Sequence, residues 1–213
     1  MTYSTVFWNR IAKSYANKPV ADVEAYEFKL DKIRGELNPD MNVFEFGCGT
    51  GSTALKLAPL VASYQAIDFS EKMIAIAQGK LRDTPIPQLD FLQSALEEHP
   101  IQNNSLDAII AMSVLHLMNE PQSAIAHAFT KLKPGGLFIS NTACIADSMP
   151  WFKYIAPLGH SLRLLPKLHV FKQTTLMAYL TEAGFTTKYE WITENNKMTL
   201  FVISQKPLKS TQS

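Results

Sequence analysis

Two kinds of apolar segment alternate along this chain. The stretch at 42–46 (NVFEF) is apolar apart from Glu45, which is typical of a strand buried on both faces. Before it, apolar residues recur at helical spacing within 6–15 and within 23–37. The alternation continues, and it predicts strands at 63–68, 87–95, 105–115 and 137–143 and helices at 52–60, 71–81, 121–132 and 174–185.

The last two apolar segments, 187–193 and 197–206, are predicted strands joined by the short turn ENN. So short a connection does not allow the crossover that parallel neighbours need, so at least one strand pair is antiparallel. Helices interleaved between the early strands predict an α/β fold, with a doubly wound, seven-stranded, mainly parallel sheet and an antiparallel last strand. We expect one domain overall, with four parts: an N-terminal helical cap (1–40), a core (41–146), a helical insertion (147–171), and a C-terminal helix, two strands and flexible tail (172–213).

Local signals mark the ends of several elements. Ser70 is placed to cap the helix that follows it, with Glu71 in a first turn where the helix dipole favours an acid. Pro121 suits the first turn of its helix, and Gly184 suits the C-terminal cap of the last one. The sequence KPGG at 133–136 predicts a tight turn.

Composition narrows the class of protein. The chain has 213 residues, 46% of them hydrophobic, with 20 Lys+Arg against 19 Asp+Glu and a net charge of +1, so net charge gives no reason to expect a nucleic-acid partner. Two cysteines make no disulfide framework. No signal-peptide pattern and no apolar run of membrane-spanning length is found. We therefore expect a cytoplasmic protein without stable membrane insertion.

The stretch at 43–57, VFEFGCGTGSTALKL, places a glycine-rich loop between a buried strand and a helix, which is a common seat for cofactors. The loop has no lysine before Lys56, which argues against a nucleoside triphosphate. Ser52 stands where a dinucleotide loop has its third glycine, so that alternative is weaker. Asp68 follows the first glycine by 21 residues (68 − 47) and is placed to hold ribose hydroxyls. Glu45, buried just before the loop, suits a ligand with an ammonium group or orders the N–H groups of the loop.

Four motifs in order resemble the class I S-adenosylmethionine-dependent methyltransferases. VFEFGCGTG resembles the first motif of that family, and YQAIDFSEKMIAIAQ resembles its second-strand motif. FLQSALEEHPIQNNSLDAII resembles the third-loop and fourth-strand motifs, and LKPGGLFIS the fifth strand. The resemblance is closest to the small-molecule, ubiquinone/menaquinone-methyltransferase-like subset. It implies the Rossmann-like fold of that family, with 41–146 as the cofactor-binding core, S-adenosylmethionine as cofactor and S-adenosylhomocysteine as product.

The resemblance also assigns roles to residues around the glycine loop. Gly47, Cys48 and Gly49 would pass beneath the methionine part of the cofactor. Asp68 would hold the ribose hydroxyls, and Tyr15 would close over the cofactor from the N-terminal helix.

The adenine end departs from the family pattern. Phe69 or Met73 would pack on the adenine ring. The family often has an aspartate in the third loop, but Ala95 stands there in this chain. The adenine edge would then rely on Ser94 or on backbone groups of Ala95 and Leu96.

The remaining assignments concern the far end of the cofactor and the acceptor. The backbone at Ala111 would meet the methionine ammonium. His116 follows the fourth strand, where the acceptor pocket of the family opens, and is a candidate general base, with ordinary packing as the alternative.

The insertion at 147–171 resembles a lid over the acceptor site, with Trp151, Phe152 and Tyr154 as its pocket residues. Three interpretations stay open: a helical subdomain, an apolar pocket for an aromatic or lipid-like acceptor, and transient membrane contact of a basic amphipathic surface.

The resemblance implies methyl transfer from S-adenosylmethionine to a small, apolar or aromatic acceptor by in-line displacement. The sequence lacks the proline motifs of nucleic-acid base methyltransferases, and no cluster has metal-ligand spacing, so we expect neither a nucleic-acid partner nor a metal. One alternative is a non-catalytic module that binds S-adenosylmethionine or another nucleoside. A more distant one is an NAD-dependent oxidoreductase.

Overall fold

A computed structural model describes residues 3–161, 165–193 and 196–208 of the chain. The chain divides into two compact units, Met1–His99 and Pro100–Ser213. The strands form a seven-stranded sheet of order β3-β2-β1-β4-β5-β7-β6. In chain order they are β1 (Asn42–Phe46), β2 (Ser63–Asp68), β3 (Leu89–Gln93), β4 (Leu106–Met112), β5 (Leu132–Ala143), β6 (Thr186–Thr193) and β7 (Asn196–Gln205).

Helices lie between these strands. The α-helices of the described residues are α1 (Tyr3–Asn17), α2 (Val23–Arg34), α3 (Ser52–Leu57), α4 (Glu71–Asp83), α5 (Pro121–Lys131), α6 (Phe152–Ser161) and α7 (Gln173–Glu182). Short 3₁₀ turns cover Ala58–Leu60, Leu115–Leu117 and Ile145–Asp147. The α/β class predicted from the alternation of segments is confirmed.

In the Met1–His99 unit, β1, β2 and β3 are parallel neighbours. Phe46 of β1 lies opposite Ile67 of β2, and Ile67 lies opposite Leu92 of β3. Four of the five residues of β1 are buried, as expected for a strand covered on both faces. Because parallel strands end at the same edge, the glycine loop after β1 and Asp68 at the end of β2 are brought together.

In the Pro100–Ser213 unit, β4 is parallel to β5, and β7 is antiparallel to both β5 and β6. The predicted antiparallel ending is therefore confirmed, with β7 inserted between β5 and β6. Phe138 of β5 stacks on Phe185, and Phe185 meets Phe129 of α5 edge to face, so aromatic packing covers this part of the sheet.

Several predicted boundaries shift. The second helix ends at Arg34 rather than at 37, because Gly35 caps it. Fourth-strand pairing stops at Met112 rather than at 115, because Ser113 has a left-handed φ of 58°. The tight turn predicted at 133–136 is wrong: these residues belong to β5 at an irregularity in its register, where Gly135 has a φ of 83°.

Other boundary signals are confirmed. The Ser70 side chain accepts a hydrogen bond from the Met73 N–H at the start of α4, and Pro121 is the first residue of α5. Gly184 has a φ of 99° just after α7. Residues 162–164 of the predicted lid, 194 and 195 of the predicted turn, and the tail from 209 lie outside the described residues.

Candidate cofactor site

The glycines of the loop after β1 serve two different purposes. Gly47, Gly49 and Gly51 have φ values of 66°, 54° and 78°, all in the left-handed region. A Cβ on Gly51 would lie 2.5 Å from the ring of Phe91, so Gly51 allows close packing of α3 on the unit. A Cβ on Gly49 would meet no atom within 4 Å. The space beside Gly49 is therefore open.

Asp68 ties the glycine loop to the start of α4. Its Oδ2 accepts a hydrogen bond from the Gly49 N–H at 3.0 Å, and its Oδ1 accepts one from the Ser70 N–H at 2.8 Å. Burial raises the pKa of Asp68, while the Ser70 and Gly49 hydrogen bonds lower it. Each carboxylate oxygen has a further lone pair, so the group can still accept hydrogen bonds from a ligand.

Lys80 of α4 holds the other side of the loop. Its Nζ donates to the Thr50 carbonyl oxygen at 2.9 Å, to Thr50 Oγ1 at 3.2 Å and, over a longer distance of 3.4 Å, to Ser52 Oγ. The loop is therefore held by one carboxylate, which binds Gly49, and one cation, which binds Thr50 and Ser52.

Glu45 lies directly before the loop and is only 1% exposed. Tyr64 on β2 donates a hydrogen bond to Glu45 Oε2 at 2.7 Å. Burial raises the pKa of Glu45 to about 7; the Tyr64 hydrogen bond opposes this shift, and the charge of Asp68 adds to it. An acid in this state is poised between its neutral and charged forms near neutral pH. Cys48, also buried, has a thiol pKa raised by the same burial and stays a neutral thiol.

The N-terminal helix is attached to the same region. Asn9 Oδ1 on α1 accepts hydrogen bonds from Ser70 Oγ at 2.7 Å and from the Lys72 N–H at 3.3 Å. The Tyr15 side chain is close enough to Asp68 for that charge to raise the pKa of its phenol, in addition to the larger effect of burial. The structure thus brings Tyr15 toward the predicted ribose acid.

The loop after β3 completes the site in this unit. The Ser94 N–H donates to the Asp68 carbonyl oxygen at 3.1 Å, and Ser94 Oγ donates to the Ala95 carbonyl oxygen at 3.0 Å. Among the described residues, none accepts a hydrogen bond from the N–H of Ala95 or Leu96. Met73 is 2% exposed and packed in the core, whereas Phe69 is partly exposed. Phe69 is therefore the better placed of the two predicted adenine contacts.

The residues predicted after the fourth strand belong to the Pro100–Ser213 unit. Ala111 is fully buried within β4, opposite Ser140 of β5. The Ser113 N–H donates to the Asn141 carbonyl oxygen at 2.7 Å, and Asn141 Nδ2 donates to Ser113 Oγ at 3.1 Å. These two bonds hold Ser113 in its left-handed conformation, which costs a non-glycine residue about 1–3 kcal/mol.

His116 lies in the 3₁₀ turn after β4. Its Nδ1 faces the Ala143 N–H at the end of β5, at 3.5 Å, and its carbonyl oxygen accepts a hydrogen bond from the His169 N–H at 2.8 Å. Burial lowers the pKa of His116 to about 4, so the ring is neutral at physiological pH.

Helix α6 presents its apolar side chains to solvent. Trp151, directly before the helix, and Tyr154 are 53% and 74% exposed, and Ile155 and Leu158 continue the stripe at helical spacing. Phe152 is partly exposed, and Ala156 is the residue that α6 buries. Two of the three predicted pocket residues, Trp151 and Tyr154, thus lie mainly in solvent.

Sequence reasoning missed several residues that shape the site. Asn9, Tyr64 and Lys80 act from neighbouring elements, and nothing in their local sequence distinguishes them. Ser113 and Asn141 carried one weak signal, since both are polar residues at the ends of apolar strands.

The chain matches known families and relatives. Residues 44–140 match the family described as "Methyltransferase domain". The chain is 30% identical over 168 residues to a ubiquinone biosynthesis O-methyltransferase of Xanthomonas axonopodis pv. citri, covering 73% of this chain and 67% of the relative. It is 26% identical over 165 residues to a demethylmenaquinone methyltransferase of Leptospira interrogans, covering 76% and 62%. The chain thus spans about two thirds of the length of these relatives.

The fold is also similar to a solved structure. A SAM-dependent methyltransferase from Aquifex aeolicus superposes with a TM-score of 0.64 at 20% identity, over 83% of this chain and 89% of the other. With the sequence matches, this shows that the chain belongs to the class I S-adenosylmethionine-dependent methyltransferases, as the motifs predicted. The relatives it resembles include enzymes named for ubiquinone biosynthesis and for demethylmenaquinone methylation.

Membrane-spanning helices and metal-binding clusters are both absent from the described residues. No helix there is both long enough and apolar enough to cross a bilayer. No group of three or more His, Cys, Asp or Glu residues there is arranged to hold a metal ion.

Proposed function

We propose that the protein transfers a methyl group from S-adenosylmethionine to a small, apolar or aromatic acceptor. The observation that carries this proposal is the coupling of Asp68 to the Gly49 N–H, beside a glycine whose Cβ position is open. Family membership and relatives named for quinone methylation support the same reaction and class of acceptor.

The residues of the Met1–His99 unit fit the cofactor. Gly47, Cys48 and Gly49 supply backbone under its amino-acid part, and Glu45 supplies a negative charge for its ammonium group. Asp68 keeps lone pairs for the ribose hydroxyls.

The adenine end fits as well. The N–H groups of Ala95 and Leu96 have no partner among the described residues, so they can bind the adenine edge in place of the aspartate that Ala95 replaces. Phe69 would cover the ring, and Tyr15 would close the site from α1.

The chemistry needs little more than placement. When bound, S-adenosylmethionine supplies a methyl group already activated on a sulfonium. The task of the protein is to hold the acceptor in line with that group, and such positioning contributes roughly 7–11 kcal/mol to lowering a barrier.

Calorimetry on the Asp68→Ala variant tests the cofactor assignment. We expect affinity for S-adenosylhomocysteine to fall by about 2–4 kcal/mol, because charge-assisted hydrogen bonds to ribose are lost. Asp90→Ala, at an exposed position on β3, is the matched control and should bind like the natural protein. A loss below about 0.5 kcal/mol would show that Asp68 does not hold the ribose.

Binding and turnover measurements distinguish the methyltransferase from the two alternative functions. Binding of NAD without S-adenosylmethionine would support an oxidoreductase. Binding of S-adenosylmethionine without turnover, across a panel of phenols, quinols and apolar acids, would support a non-catalytic module. The enzyme is expected to form S-adenosylhomocysteine only when an acceptor is present.

We further propose that α6 touches membrane surfaces transiently to collect an apolar acceptor, while the protein itself resides in the cytoplasm. Between Ser148 and Thr181 the sequence has no Asp or Glu but has Lys153, Arg163, Lys167 and Lys172. An exposed apolar stripe beside a purely cationic segment suits the interface of an anionic bilayer.

A further inference from the structure

Beyond the last pair of β4 and β5, a backbone N–H of β5 faces the side chain of His116. Pairing of β4 stops at Met112, and the left-handed Ser113 turns the chain away from β5. Further along β5, the Ala143 N–H points to Nδ1 of His116 at 3.5 Å. The contact is long for a hydrogen bond, but its direction is informative: a proton on Nδ1 would face the amide hydrogen of Ala143 and be repelled.

The backbone that carries the ring is held by two sets of contacts. The His169 N–H donates to the His116 carbonyl oxygen at 2.8 Å and fixes the 3₁₀ turn against the segment after α6. Asn141 fixes the preceding Ser113 through its side chain and its carbonyl oxygen. Strain maintained by such contacts is typical of functional sites, and ligands of α/β sheets bind beyond the carboxyl ends of the strands, where this turn lies.

Three acids of this unit are each engaged with another group. Asp107 is paired with Lys133, Asp147 accepts from the Gln173 N–H, and Glu120 accepts from Ser123. Nε2 of His116 has no hydrogen-bond partner among the described residues. Burial alone lowers the pKa of the ring, and neighbouring Cys144 stays a neutral thiol because burial raises its pKa to about 12.

We infer that His116 is held as the neutral Nε2–H tautomer and donates a hydrogen bond to an oxygen of the acceptor, rather than removing a proton from it. The inference rests on the proposed methyl transfer and narrows its substrate class. With Nε2 already protonated, His116 does not take the acceptor proton through that atom. We therefore assign the acceptor as an acidic phenol or enol, which ionises by itself and whose oxyanion the Nε2–H stabilises.

The acceptor hydroxyl loses its proton to solvent before transfer. Its oxyanion then forms the O–C bond to the methyl group while the sulfur–carbon bond breaks, and that electron pair stays on sulfur, which becomes a neutral thioether. His116 begins and ends the step as the same neutral donor.

The tautomer of His116 can be measured by NMR without any enzymatic turnover. The 213-residue chain is labelled with ¹⁵N at histidine. Its long-range ¹H–¹⁵N spectrum should show His116 as Nε2–H, with no titration from pH 6 to 8.5. His116→Gln identifies the signals among the five histidines. An Nδ1–H pattern, or a midpoint within that range, would overturn the inference whether or not the protein is a methyltransferase.

Kinetics with phenols of graded acidity test the role. His116→Ala should lower kcat/KM about 10- to 100-fold, by the same factor for every phenol, because one hydrogen bond to an anion is lost. His116→Gln should recover most of this loss, since its amide can donate. The pH midpoint of kcat/KM should follow the pKa of the phenol in every variant. His99→Gln, in the other unit, controls for loss of a histidine.

Two kinetic outcomes would contradict the inference. A loss in His116→Ala that grows as the phenol becomes less acidic, with His116→Gln equally impaired, would identify a general base. Methylation of thiols, amines or carboxylic acids but of no phenol or enol would refute the substrate class. Absence of S-adenosylmethionine binding would instead be a failure of the proposed function itself, and the spectrum would still decide the tautomer.

Discussion

At the scale of the residue, Glu45 carries a conflict between stability and binding. It is almost wholly buried beside Tyr64, with Asp68, Tyr26 and Cys48 as its other titratable neighbours. Burial disfavours its charge, yet a cofactor ammonium would need that charge. The Tyr64 hydroxyl moderates the conflict, because it donates to the carboxylate and opposes the rise in pKa.

Glu45→Gln should therefore stabilise the cofactor-free protein at high pH. With a pKa of about 7 in the folded state and about 4.5 unfolded, the folded state binds more protons between these values, so stability falls as pH rises through this window. Glutamine removes that dependence, and the gain at pH 8 should be on the order of 3 kcal/mol, shrinking to less than about 1 kcal/mol at pH 5.

Denaturant unfolding of both proteins at pH 5 and pH 8 measures this difference. The variant should bind S-adenosylmethionine more weakly at pH 8, since the charge is absent. A stability difference that is the same at both pH values would mean that Glu45 does not titrate as its burial implies.

At the scale of the element, two glycines in the loop between β1 and α3 have different surroundings. Gly51 packs against neighbouring side chains, whereas Gly49 is the glycine proposed to contact the cofactor. Gly51 lets α3 begin against Phe91 and Ala77, whereas Gly49 contacts neither. Lys80 and Asp68 hold the loop between them from α4 and β2. The G-x-G-x-G spacing thus reflects where the helix packs, at Gly51, and leaves open space beside Gly49.

Matched alanine variants separate these roles. Gly51→Ala should lower the free energy of unfolding by about 2–4 kcal/mol, from overpacking against Phe91 plus the strain of a positive φ. Gly49→Ala should cost only about 1–2 kcal/mol of strain but should weaken cofactor binding more strongly. Thermal unfolding and calorimetry on both variants measure the contrast, and Phe91→Leu should partly rescue Gly51→Ala. Equal stability losses without rescue would contradict the assignment.

At the scale of the whole molecule, the net charge is close to zero but the charges are unevenly distributed along the chain. The net charge is +1, yet the 34 residues from 148 to 181 contain four Lys or Arg and no acid. The apolar stripe of α6 lies in this segment and faces solvent. This segment is the part of the chain that the membrane proposal assigns to contact with an anionic bilayer.

Substituting Tyr154 and Leu158 together by serine should abolish binding to phosphatidylglycerol-containing vesicles while leaving cofactor affinity unchanged. The natural protein should sediment with these vesicles, with a blue shift of Trp151 fluorescence, and should release at high salt because the attraction is partly electrostatic. Val23→Ser, at an exposed apolar position on α2, is the control. Sedimentation that is equally strong with neutral vesicles, or unaffected by the double substitution, would refute the membrane proposal.

The sequence by itself determined the order of elements, the glycine loop and Asp68. These features depend on local periodicity, on φ preferences and on a spacing of about twenty residues, all of which are visible along the chain. It also determined the family, since four motifs recur in order. The boundary errors arose from features that the local pattern does not show: Ser113 has a left-handed φ just after Met112, and the pairing of β5 with β4 skips residues 133–136.

Only the tertiary structure decided how the site is held and what state its groups are in. Tyr64 reaches Glu45, Lys80 reaches Thr50, and Ala143 faces His116 across separations of 19, 30 and 27 residues. Burial, which moves the pKa of Glu45 up and that of His116 down, is a property of the packed chain. The sequence offered His116 as a base, but its charge depends on burial and its tautomer on the facing Ala143 N–H, and only folding provides both.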